Sequence, residues 1–197
     1  MENIDILKKT IEELVYTNPL SLLTIKDERL LNYIHSFLPF STGFEIECDK
    51  GEYYIEEAFT KIPHILHVFN DSSEQRYRIK KGFVGLVSLY IIFQALANNS
   101  KANQGSGIHY HIDFTDCYSS ITEKVIKDNK EWLLSELDTW QYKGNFNTRN
   151  FSSGHCWIRT QSVFRTLEIR IGEMSFDYST IVRRIIHANT IMLIFKC

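Results

Sequence analysis

Three short segments, far apart in the chain, alternate apolar residues with metal-ligand or charged residues. They are Gly43-Phe44-Glu45-Ile46-Glu47-Cys48, Gly107-Ile108-His109-Tyr110-His111-Ile112-Asp113 and Thr166-Leu167-Glu168-Ile169-Arg170. In a β-strand successive side chains point to opposite faces, so a period of two predicts one buried and one polar face. Glu45 and Glu47 then share a face, roughly 7 Å apart along the strand, opposite Phe44, Ile46 and Cys48. His109, His111 and Asp113 share a face in the second segment. Thr166, Glu168 and Arg170 do so in the third, opposite Leu167, Ile169 and Ile171.

The stretches between these strands read as helices and further strands. Leu7, Ile11, Leu14 and Val15 follow helical spacing and predict a helix over 4–17, ended by Asn18-Pro19. Leu30, Leu31, Ile34 and Leu38 repeat the spacing, with Asp27 as N-cap and Pro39 as a stop. Asp49-Lys50-Gly51 signals a tight turn and predicts Glu52–Ala58 as the hairpin partner of the first strand. His64–Phe69 and Gln75–Lys80 read as strands around the loop 70–73. An apolar helix covers 82–98, and a helix with one apolar face covers 120–142. His155–Gln161 and Phe164–Gly172 form an antiparallel pair, and Asp177 caps a last helix. Antiparallel strands mixed with long helices indicate an α+β protein. Residues 1–40 form an N-terminal helical extension, read as a lid, an oligomer contact or plain packing, and 41–197 form the main domain.

Composition narrows the function classes. The 197 residues are 44% hydrophobic and 23% charged, with a net charge of −2. No Lys/Arg run supports a nucleic-acid or anionic-membrane surface. The most apolar stretches, Phe83–Leu96 and Ile185–Phe195, are too short to span a bilayer and read as buried helices. The four cysteines, Cys48, Cys117, Cys156 and Cys197, form no C-x-x-C pair and read as reduced thiols. With an acidic, polar start instead of a signal peptide, a cytoplasmic location is expected.

Carboxylate and imidazole are common metal ligands. Two nearby carboxylates resist joint ionisation unless a cation lies between them. On these residues two readings stand: solvated strand faces with a Glu168–Arg170 ion pair, or a site assembled from three strands. A third is a metal hydrolase built on H-x-H-x-D, which requires the glutamate strands to lie far from His109. His155 and Cys156 are adjacent on a strand, point to opposite faces and so form no dyad.

The order G-F-E-I-E, N-D-S-S, G-I-H-Y-H-I-D and T-L-E-I-R, followed by a helix, resembles the amidoligases. These are carboxylate–amine ligases of the glutamate–cysteine ligase and glutamine synthetase superfamily. The resemblance spans about Gly43 to Ile194. It implies a curved antiparallel sheet with helices on one face, a glutamine-synthetase-like catalytic fold. It also implies ATP and Mg²⁺, with Mn²⁺ as a substitute, and an amide bond made through an acyl phosphate.

By position, the resemblance makes Glu45, Glu47, His109, Glu168 and Asp71 metal contacts. Arg170 becomes a phosphate contact and, with His109, a catalytic residue. His111 is a further nucleotide contact, and Arg159, on the strand His155–Gln161, reaches the nucleotide if its face is the concave one. The loops 99–106 and 143–154 would close over the nucleotide. The implied partners are a carboxylate and an amine, either of them an amino acid, a peptide or a protein tail, and a homo-oligomer is compatible. Relatives carry an acid after the D-G-S loop, where this chain reads Glu74-Gln75-Arg76-Tyr77-Arg78-Ile79-Lys80-Lys81. That change removes a ligand and adds positive charge, so an inactive relative acting as a binding or assembly module is the alternative function.

Overall fold

A computed structural model of the protein describes residues 2–47, 65–70, 74–99, 107–115, 123–138, 140, 158–161, 165–173 and 175–196. The N-terminal piece is helix α1 (Glu2–Thr17), a 3-10 turn (Pro19–Thr24) and helix α2 (Glu28–Ser36). Asp27 caps α2 by accepting the Arg29 N–H at 2.9 Å, which satisfies one of the free donors of a helix start. The strands are β1 (Thr42–Glu47), β2 (Ile65–Asn70), β3 (Glu74–Ile79), β4 (Gly107–Asp113), β5 (Ile158–Gln161) and β6 (Thr166–Glu173). The remaining helices are α3 (Phe83–Asn99), α4 (Glu123–Asp128), α5 (Lys130–Asp138) and α6 (Tyr178–Lys196).

Among the described residues the strands form one six-stranded sheet in the order β2-β3-β1-β4-β6-β5, antiparallel throughout. The α+β class read from the sequence is therefore the class observed. Two local expectations are amended. Both edges of β1 are taken, by β3 and β4; the expected hairpin partner Glu52–Ala58 lies outside the described residues. The helix expected over 120–142 is broken into α4 and α5 at Asn129. The Asn129 amide donates to the Val125 carbonyl at 2.8 Å, which also accepts the Asn129 N–H at 3.2 Å, and the Leu133 N–H donates to the Asn129 carbonyl at 3.0 Å, so the interruption is a single residue.

Alternation has the expected result on the apolar face. Phe44, Ile46, Tyr77, Ile79, Ile108, Tyr110, Ile112, Leu167 and Ile169 are all buried. Helix α3 packs on that face with Phe93 tilted against Phe44 at 5.7 Å between ring centroids. Helix α6 adds Ile181, Val182, Ile185, Ala188 and Met192, and the N-terminal piece adds Ile11, Val15, Leu22, Ile34 and Leu38 to the same core. No helix among the described residues is long and apolar enough to cross a membrane.

Polar ties fix α6 against the rest. Asp177 accepts the Thr180 N–H at 2.8 Å as its cap, and the Thr180 hydroxyl holds that carboxyl below its ordinary range. The Tyr178 hydroxyl donates to the Val15 carbonyl at 2.8 Å, and burial pushes the phenol up. Trp140 donates its indole N–H to His187 Nδ1 at 3.0 Å, while Arg184 donates to the Trp140 carbonyl at 2.9 Å. The fully buried Asn189 accepts the Phe40 N–H at 3.0 Å and donates to Thr42 Oγ1 at 3.3 Å and the Ile185 carbonyl at 2.9 Å. It sets where the chain enters β1, and hence where Glu45 stands.

Asn189→Ala strips the Phe40 N–H of its acceptor. An orphaned buried donor costs about 1–3 kcal/mol, and a cavity adds to that. Urea denaturation should show Asn189→Ala less stable by about 2–3 kcal/mol. Thr190→Ala, at an exposed neighbour, should stay within about 0.5 kcal/mol. Equal effects at the two positions would contradict the role given to Asn189.

Candidate metal site on the polar face of the sheet

Antiparallel register determines what meets what on the polar face. Glu45 is paired with Arg76 on β3 and with His109 on β4. His111 is paired with Gly43 on one side and Glu168 on the other. The β4–β6 register shifts between Ile108 and Tyr110, where His109 alone stands opposite Arg170 and Ile171. Such a bulge re-aims side chains without ending the pairing.

The face therefore collects Glu45, His109, His111, Glu168 and Arg170 in one place, the five residues named from three separate segments. His109 Nδ1 lies 3.1 Å from Glu45 Oε2, and His111 Nε2 lies 3.4 Å from Glu45 Oε1. Arg170 Nε is 3.5 Å from Glu168 Oε1. His109 and Glu168 are buried, and Glu45, His111 and Arg170 are largely so. The hydrolase reading needed the glutamate strands remote from His109, and they are its neighbours.

Glu47 continues the face by register, opposite Glu74, but its side chain lies outside the described residues. Arg159 is paired with Glu168 across β5 and β6; its side chain also lies outside them, as do Asp71 and the two loops expected to close over a nucleotide. Two contacts were not read from the sequence. Arg76 Nε lies 3.0 Å from Glu45 Oε1, and Arg78 donates to Asp113 at 3.3 Å. Both follow from the β1–β3 and β1–β4 registers, which no local pattern encodes.

Glu45, His111 and Glu168 each offer one ligand atom, and these atoms all lie within 4.8 Å of one another. His111 is poised for ligation. Its Nδ1 lies 3.4 Å from Thr166 Oγ1, while Nε2 is buried and has no hydrogen-bond partner among the described residues. A ring held at one nitrogen, with the other making only a long approach to a carboxylate, is the arrangement of a metal-binding histidine. Two carboxylates and an imidazole fit a divalent ion that accepts mixed oxygen and nitrogen donors, such as Mn²⁺ or Zn²⁺, better than Mg²⁺.

Among the described side chains of this face, the acids are matched by arginines without an ion. Glu45 faces Arg76 and Glu168 faces Arg170. Buried acids this close are strongly destabilising when a partner is removed, so the arginines let the face fold before anything binds. A divalent ion added to this balanced set leaves a surplus of positive charge, which an anionic ligand would offset.

Among known proteins, no family model, no curated protein and no solved structure matches the chain.

The triad makes a direct prediction. Mn²⁺ at about a hundred times its dissociation constant should stabilise the wild-type protein by about 2.7 kcal/mol, read as a rise in thermal midpoint against the metal-free sample. His111→Ala and Glu168→Gln should each lose most of that rise. An undiminished rise in His111→Ala would place the ion elsewhere.

Proposed function

We propose that the chain is an ATP- and divalent-metal-dependent carboxylate–amine ligase of the amidoligase type, with a glutamine-synthetase-like catalytic fold. The observation that carries this reading is the Glu45–His111–Glu168 triad, with Arg170 beside it, on one face of an antiparallel sheet. Glu45, His109, His111, Glu168 and Arg170, singled out by three of the four motifs, lie on β1, β4 and β6 in the chain order of the resemblance.

Each residue then has a physical task. Glu45, His111 and Glu168 would hold the ion, whose positive charge neutralises the phosphate oxygens during transfer. His109, bonded to Glu45 through Nδ1, orients that carboxylate. Arg170 would contact the transferring phosphoryl group, where a planar guanidinium matches phosphate oxygens. The substrate carboxylate attacks the γ-phosphorus, the bond to the bridging oxygen breaks and ADP leaves. The amine nitrogen then attacks the acyl carbon, gives up a proton, and phosphate departs with the bonding pair. The surplus positive charge created by an ion on this face suits a polyphosphate substrate. Mg²⁺ would serve with ATP, and the imidazole donor favours Mn²⁺.

A second reading is favoured by one contact. Arg76 occupies Glu45 where relatives would place an acid nearby, consistent with a non-catalytic module that keeps the fold for binding or assembly.

ADP release from ATP separates the two. With Mn²⁺ or Mg²⁺ and a panel of amino acids and acidic peptides, the ligase reading predicts amine-dependent ADP formation. Glu168→Gln and Arg170→Met should each lower it by at least about a hundredfold, the scale of losing a transition-state charge contact. Unaltered Mn²⁺ binding with no ADP from any substrate pair would support the binding module instead.

A further inference from the structure

Both oxygens of Glu45 are already engaged. Oε1 is contacted by Arg76 Nε at 3.0 Å and approached by His111 Nε2 at 3.4 Å, and Oε2 is held by His109 Nδ1 at 3.1 Å. An ion shared by Glu45, His111 and Glu168 needs one of those oxygens. Something must therefore give way before metal enters.

We propose that Arg76 is a resident cation that competes with the divalent ion for Glu45, so that metal entry requires the β3 guanidinium to swing out. This rests on the metal reading of the site given above. Three observations select Arg76 from the groups around Glu45. The His109 side chain is 4% exposed and that of His111 14%, whereas that of Arg76 is 41% exposed and has water to move into. The Glu45 carboxylate is left with His109 and the entering ion when Arg76 leaves, so the exchange replaces one cation by another and strands no bare charge. Arg76 Nε and His111 Nε2 converge on the same oxygen, Glu45 Oε1, so an ion bound between His111 and that oxygen takes the place of the guanidinium.

The register keeps the competitor in place. Arg76 stands directly opposite Glu45 on the neighbouring strand, so it returns when the ion leaves. The ion and Arg76 thus alternate on one carboxylate. Arg76 sets the concentration at which the site fills, and it keeps Glu45 neutralised in the empty state.

Mn²⁺ binding measured by isothermal titration calorimetry, without nucleotide, tests this on the full chain. Arg76→Gln and Arg76→Met should bind Mn²⁺ more tightly than wild type by at least about fivefold, the upper end for an exposed pair and a lower bound where the carboxylate is largely buried. Arg76→Lys keeps the charge and should stay near wild type. Equal or weaker binding in both neutral variants would overturn the proposal, as would tightening in Arg76→Lys equal to that in Arg76→Gln. Absence of Mn²⁺ binding in every variant and in wild type would overturn the metal reading, and this inference with it. Tighter binding in the neutral variants alone would sustain the inference even if no ADP is ever formed.

Discussion

The antiparallel register of β1 against both β3 and β4 is the constraint on which everything else rests. It places Glu45 between Arg76 and His109, and the β4–β6 pairing then brings Glu168 to His111. A slip of one residue in any of these ladders would turn the charged set into the core and the apolar set outward. The burial of Phe44, Ile46, Tyr110, Ile112, Leu167 and Ile169 under α3 and α6 prevents that slip. The core on the apolar face therefore positions the site on the polar one. Asn189 links the two by tying α6 to the residues just before and at the start of β1.

Electrostatics explain why the face is tolerated. Glu168 is almost completely buried and keeps Arg170 at 3.5 Å; Glu45 has two imidazoles and a guanidinium around it. Desolvated carboxylates survive only with such partners. The same balance shapes what the face can bind. Among the described side chains, a divalent cation would add to a set already matched by arginines, which is the basis for proposing an anionic ligand beside it.

Much of this was legible in the chain because strand alternation is a local property. Which face Glu45, His109, His111, Glu168 and Arg170 would occupy could be read from their immediate neighbours. The helix starts at Asp27 and Asp177 were legible for the same reason, since a cap acts over three residues. Strand order and register are not local. Nothing near Arg76 indicates that it lies opposite Glu45; the sequence shows only that a cation stands where an acid was expected. The β6 bulge opposite His109 was invisible as well, as was the choice of His111 as the histidine that joins Glu45 and Glu168. The break at Asn129 was missed because a single asparagine is weak evidence against an otherwise continuous amphipathic pattern. Asn189 sits in an apolar helix, and its partners Phe40 and Thr42 are about 150 residues away in sequence.

The central claim is that one carboxylate from β1, one imidazole from β4 and one carboxylate from β6 hold a single ion. An anomalous-difference map from crystals grown with Mn²⁺ tests it most directly. The account predicts one strong peak about 2.2 Å from an oxygen of Glu45, an oxygen of Glu168 and His111 Nε2, the normal range for such ligands, with the Arg76 guanidinium no longer on Glu45. A map with no peak at that point, with Glu45 still bound to Arg76 and His109 at full Mn²⁺ occupancy elsewhere, would contradict it.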